Sequence, residues 1–160
     1  MKTVIIYDSY FSNTEKIAKA IYNSLKDDKG EIHILNVKDF KPKILDNTTL
    51  LIIGSPTRAF RPTEAVVNMI KEIPNGSLNC TNVVAFDTRI DLEKIDSKIL
   101  AFFVKLFGYA APVIQKELIK KGGISITEPM GFFVEDKEGP LTKGEEERAK
   151  KWTEEITKNF

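Results

Sequence analysis

Three aliphatic hydroxyls and one amide fall within six residues near the amino terminus: Ser9, Ser12, Asn13 and Thr14. They follow a short apolar run over residues 3–7 and lead into a helical pattern from Glu15 to Ile21. A strand, a hydroxyl-rich turn and a helix start together make an anion site. The first N–H groups of a helix lack internal partners, and the helix dipole favours negative charge there. The chemistry to expect is recognition of a phosphate or a carboxylate. Ser12 and Glu15 also stand at capping-box spacing, which predicts that Ser12 closes the helix start. The plainer alternative is a capped helix after a buried strand, with no ligand.

Few other residues offer chemistry. His33 and Cys80 are the sole residues of their types. An internal disulfide and any multi-thiolate or multi-histidine metal site are therefore excluded, and no metal is expected. His33 lies in an alternating run without a nucleophile nearby, so a structural or solvent-facing role is expected. Cys80 just precedes a strand and reads as a small filler. No residue set reads as a catalytic constellation. One thiol fits a reducing compartment, and the amino terminus shows no leader pattern, so the cytoplasm is the expected setting. No apolar run is read as reaching the roughly 20 residues needed to cross a membrane. Against 24 basic residues stand 23 acidic ones, and no basic patch is interleaved with aromatics, so nucleic acid is not an expected partner. At 160 residues, 42% hydrophobic and 29% charged, the chain suits one globular domain over 1–160.

The elements that must position the turn follow from periodicity. A continuous apolar strand over 3–7 precedes a helix over 13–27 whose Ile17, Ile21 and Leu25 form one buried stripe. Residues 31–35 alternate, as in a strand near an edge, and 37–45 form a connector with Phe40 and Ile44 inward. The clearest buried strand is 50–54. Pro56 and Pro62 bar a helix until Thr63, which caps one carrying Ala65, Val66, Met69, Ile70 and Ile73 inward. A strand over 83–86 is followed by an outgoing loop over 87–90. Residues 95–121 are unusually apolar, and Gly108 with Pro112 predicts two helices there, the second with Val113, Ile114, Leu118 and Ile119 in the core. The first has more apolar residues than one stripe requires. Burial is the expected reading, with a ligand-edge cover and a dimer contact as alternatives. A fifth strand over 123–127 is interrupted at Glu128-Pro129 and resumes over 131–134. A polar loop over 135–143 leads to a charged closing helix over 144–159, with Ala149, Trp152 and Ile156 inward.

Five strands alternating with helices predict an α/β fold: a doubly wound parallel sheet between two helical layers, joined by right-handed crossovers. Ligands of such sheets bind beyond the carboxyl ends of the strands. The loops there are 8–14, 55–62 and 87–90, all rich in hydroxyls, arginine or proline. Neither a P-loop nor a G-x-G-x-x-G fingerprint is present. A receiver domain shares the layout, but Gly54-Ser55 stand where its phosphoacceptor belongs and Thr127-Glu128 where its lysine belongs.

The combination resembles the flavodoxins. Their turn after the first strand carries a Ser/Thr-x-x-Gly-Asn-Thr type pattern, and this chain has Ser9-Tyr-Phe-Ser-Asn-Thr14. Gly54 to Thr57 matches the family's Gly-Ser-Pro-Thr. Gly139-Pro-Leu141, followed by Gly144-Glu-x-x-Arg148-Ala, is similar to the lead-in of its last helix. The resemblance implies a three-layer, five-stranded sheet of order 2-1-3-4-5, with non-covalent FMN at the switch point. It implies that Ser9, Ser12, Asn13 and Thr14, with backbone N–H groups from Tyr10 and Phe11 onward, cradle the phosphate. Pro56, Thr57, Arg58, Ala59 and Phe60 would then flank the flavin ring, and Asp87, Thr88 and Arg89 would hold its other edge. Phe11 stands where the family often has a threonine, and Ser12 replaces the usual glycine. Phe60, Tyr10 and Phe11 are the aromatics within reach of the ring, and 87–90 supplies none. Typical flavodoxins are strongly acidic, and this chain is not. The implied function is electron transfer to redox partner proteins, by a monomer or weak dimer. The alternatives are an FMN-dependent NAD(P)H:quinone-type reductase and a module that has lost the flavin. Arg58, Arg61 and Arg89 are expected to favour a reduced, anionic flavin.

Overall fold

The computed structural model describes residues 1–26, 30–94 and 97–159. Its centre is β1 (Lys2–Tyr7), an unbroken apolar strand flanked in parallel register by β2 (Glu31–Asn36) and β3 (Leu50–Pro56). Then come β4 (Asn82–Ile90) and, alongside it, the short β5 (Ile124–Ser125), giving the order β2-β1-β3-β4-β5. A sixth strand, β6 (Met130–Val134), also pairs in parallel with β4. β5 and β6 thus share the fifth place, as the interruption at Glu128-Pro129 predicts. β2 is the edge strand, and His33 on it pairs with Glu31 at 2.6 Å.

Side chains alternate along a strand, so each central strand feeds two cores. Val4, Ile6, Leu51, Ile53, Val83 and Ala85 face one layer. It is covered by α2 (Glu64–Glu72) and α4 (Ala110–Lys120). Ile5, Leu50, Ile52, Val84 and Phe86 face the other. There they meet α1 (Asn13–Leu25) and α5 (Glu145–Lys158), the latter through Ala149, Trp152 and Ile156. The expected helix end at Asp27 lies outside the described residues, as does Ile95. Thr63 caps α2 by accepting from the Val66 N–H.

Five expectations change. Residues 87–90 are not a loop: β4 continues through them because β6 offers its own backbone from Met130 to Val134 as a partner. Cys80 is not filler. It is exposed in a turn, with a left-handed φ of 68°. Pro112 does not separate the helices; Gly108 does, and Pro112 is tolerated in the first turn of α4, where its missing N–H has no intrahelical partner to lose. Ala110 and Ala111 take the core positions assigned to Val113 and Ile119, which are exposed.

The fifth change concerns α3 (Lys98–Phe107), which has no fully buried residue. Lys98–Lys120 is, by length and composition, 23 residues apolar enough to cross a membrane, contrary to the sequence expectation. In the fold Gly108 and Tyr109 interrupt it, and α4 packs Ile114 and Leu118 into the core.

Candidate functional site

The turn after β1 is built as an anion nest. Asp8 is buried at the strand end and accepts the Ser9 N–H at 2.9 Å. Ser12 adopts φ 60°, ψ 3°, and the next residue is already helical. A left-handed residue followed by a right-handed one turns successive N–H groups toward the same side. The N–H groups of residues 10–14 take no protein acceptor among the described residues. Ser12 makes no side-chain cap, so the expected capping box is absent. Its left-handed backbone carries the side chain away into solvent. Ser9 caps instead, its hydroxyl accepting the Glu15 N–H at 3.3 Å. Glu15 pairs with Lys19 at 2.7 Å, which holds its carboxyl below the usual range.

Two neighbours complete the nest. The Thr14 and Thr88 hydroxyls lie 2.8 Å apart, tying α1 to β4. The Asn13 side-chain amide donates to the Glu138 carbonyl at 3.0 Å, which pulls in the loop after β6. Gly139 in that loop has φ 104° and its Cα faces the Asn13 amide, leaving no room for a Cβ. The third sequence motif therefore belongs to the same site as the first.

The loop after β3 supplies the opposite wall. Arg58 and Arg61 exchange backbone hydrogen bonds at 2.9 and 3.1 Å around Ala59 and Phe60, both left-handed at φ 46° and 66°. This tight turn projects Phe60 onto α3, where it stacks on Phe103 at 5.9 Å and lies 6.0 Å from Phe107. Arg58 reaches back over the Tyr10 and Phe11 rings, at 5.4 and 5.7 Å. The two loops thus meet through one guanidinium.

Between them lies a pocket of about 480 Å³. Ser9, Tyr10, Phe11, Asn13, Thr14, Pro56, Thr57, Arg58, Ala59, Phe60, Thr88 and Arg89 line it. The two other candidates do not. Ser12 points to solvent, for the reason above. Asp87 is fully buried behind Arg89, whose Nε and Nη2 donate to it at 2.6 and 2.7 Å. Burial pushes the Asp87 carboxyl above the usual range, opposed by Arg89, by the Ala111 N–H at 2.8 Å and by Thr57. Asp87 therefore positions three pocket elements without facing the pocket.

The structure adds lining residues that the sequence reading missed. Tyr109 lies under the Arg89 guanidinium, 3.6 Å from its ring centroid, and is the aromatic that 87–90 lacks. Ile90, Leu92, Leu100, Val104, Val134 and Lys137 complete the wall. The missed signal was topological. The start of α4 and the loop after β6 also lie at the carboxyl edge of a parallel sheet. The donors fit a flavin mononucleotide: unpaired N–H groups at one end for a dianion, and apolar walls for a ring system.

Comparison with known proteins agrees with this fold. Two solved structures from Bacillus cereus superpose over 100% of this chain. Oxidised Flavodoxin 1 does so with a TM-score of 0.78 at 16% identity, over 99% of its own length. Oxidised Flavodoxin 2 has a TM-score of 0.78 at 18% identity over 100% of its length. The rubredoxin oxygen:oxidoreductase of Desulfovibrio gigas matches at TM-score 0.73 and 20% identity, covering 98% of this chain and 35% of its own. No curated protein sequence matches. The family Flavodoxin matches residues 5–152, and with nearly the whole chain inside that match, the protein belongs to the flavodoxin family of FMN-binding electron-transfer proteins.

Proposed function

We propose that the pocket between residues 8–14 and 55–62 holds the FMN, with its phosphate on the nest and its ring between the Phe60 and Tyr109 sides. The observation that carries this is the run of N–H groups over 10–14 without a protein acceptor among the described residues. Bound FMN supplies the redox chemistry. Thr14, with Thr88 behind it, offers a hydroxyl to the anion, and Asn13 holds the 135–143 loop against the nest. The whole chain acts as one domain, and the working form is an electron carrier that meets redox partner proteins in the cytoplasm. An exposed Cys80 thiol suits that reducing setting.

Titration of flavin-free protein with FMN and with riboflavin tests the site. Flavin fluorescence quenching is expected to show FMN bound at least tenfold more tightly, because the phosphate meets charge-assisted donors. Thr14→Val is expected to weaken FMN and leave riboflavin unchanged. Equal affinity for the two flavins would remove the nest from the site. Steady-state NAD(P)H oxidation with a quinone is expected to stay at the rate of free FMN; a clear excess would favour the enzyme reading.

A further inference from the structure

α3 has two apolar faces, and only one is used by the protein. Leu100 and Val104 line the pocket, while Phe103 and Phe107 hold Phe60. On the outer side Ile99, Phe102 and Leu106 are 72%, 61% and 60% exposed. Their spacing makes one stripe along the helix. Such a stripe on a protein surface marks an interaction site.

The charges beside the stripe point to what covers it. α1, α4 and α5 each pair lysines with glutamates three or four residues away: Lys19 with Glu15, Lys120 with Glu117, Lys150 with Glu147. α3 contains two lysines and no acidic residue. Neither Lys98 nor Lys105 has a carboxylate partner among the described residues, whereas the nearby Lys94 is matched by Glu135. On a helical wheel Lys98 and Lys105 sit together at one border of the stripe, next to Phe102. Phenylalanine, leucine and isoleucine on one face, with only lysine at its edge, form the pattern of a helix that lies in a lipid interface. A second copy of the chain fits less well. Two such helices face to face would bring four lysines together, with no acid on either helix to offset them.

We propose that α3 is an interfacial helix that seats the protein reversibly on an anionic lipid surface. Ile99, Phe102 and Leu106 enter the acyl boundary, and Lys98 and Lys105 meet the headgroups. Because the opposite face of the same helix walls the pocket, this orientation holds the pocket mouth at the level of the headgroups. The proposal goes beyond flavin binding and does not depend on it.

Vesicle flotation with the full chain, loaded with FMN, tests it. The vesicles are phosphatidylcholine alone or mixed with an equal amount of phosphatidylglycerol. The unaltered protein is expected to bind the anionic vesicles roughly tenfold or more tightly than the neutral ones, from two lysines at the surface, and to release in high salt. Phe102→Ser/Leu106→Ser, at exposed positions outside the core, is expected to abolish binding. Lys98→Gln/Lys105→Gln is expected to remove the preference for anionic lipid. No binding to either vesicle, or binding unchanged in the Phe102→Ser/Leu106→Ser variant, would overturn the proposal. So would a dimer in sedimentation velocity that disappears in that variant, since the stripe would then belong to a second copy.

Discussion

Arg89 grips Asp87 with two parallel hydrogen bonds, at 2.6 and 2.7 Å, and lays the outer plane of its guanidinium over Tyr109. The carboxylate also takes the Ala111 N–H at 2.8 Å. Four pieces of the pocket wall are thereby locked: β4, the loop after β3, Tyr109 and the start of α4. Removing one partner of a buried pair strands the other, at about 3–5 kcal/mol. Asp87→Ala and Arg89→Ala are each expected to lose stability on that scale, and the double variant less than their sum. Urea denaturation of all three measures the coupling, and additive losses would show there is none.

The pair also bears on redox tuning. Arg89 brings a positive charge to the pocket, but Asp87 offsets much of it. Arg58 has no carboxylate partner among the described residues and sits over Tyr10 and Phe11. Arg58→Ala and Arg89→Ala are both expected to lower the potential at which the reduced, anionic flavin forms. Asp87→Ala/Arg89→Ala removes both charges and is expected to stay near the unaltered value. Spectroelectrochemical titration decides between these outcomes.

Ser12 stands where the family's usual residue is glycine, and its φ of 60° is one that a Cβ disfavours. Ser12→Gly is expected to raise stability by about 1 kcal/mol, since the side chain makes no cap. The nest should keep its shape, so FMN affinity should not fall. A stability loss in chemical denaturation would show that the serine contributes something not visible in its contacts.

Gly54 lies against the ring of Phe86, and a Cβ there would run into that ring. Phe86 in turn packs edge-on to Phe132 and Trp152, at 6.0 and 6.3 Å. Gly54→Ala is expected to destabilise by about 1–3 kcal/mol through overpacking. Phe86→Leu in the same chain should recover part of that loss. Failure of this rescue in thermal melts would place the strain elsewhere.

Much of the site was legible because its parts are local. Ser9 to Thr14 suggested a hydroxyl-rich helix start fit for an anion, and Pro56 to Phe60 an irregular loop beside it. What could not be read was which atoms do the work. Ser12 and Glu15 have capping-box spacing, yet the backbone at Ser12 turns left-handed and Ser9 caps instead. Asp87 looked like a contact residue, but strand pairing with β6 turns it inward and leaves Arg89 and Thr88 at the surface of the pocket. Tyr109 and Lys137 lie far from the motifs in sequence and reach the pocket only through topology.

Hydrophobic periodicity marked most of the strands and helices, and the motifs after β1, after β3 and before α5 carried the resemblance to the flavodoxins and, through it, to FMN. These are properties of short segments, and a segment carries its own pattern wherever it sits. The fate of α3 was decided only in three dimensions. The apolar residues of Lys98 to Phe107 exceed one stripe, and which of them end up buried depends on what else arrives at that face. Here α4 and α2 fill the sheet's layer, so α3 stands at the rim with one side on the pocket and Ile99, Phe102 and Leu106 exposed on the other.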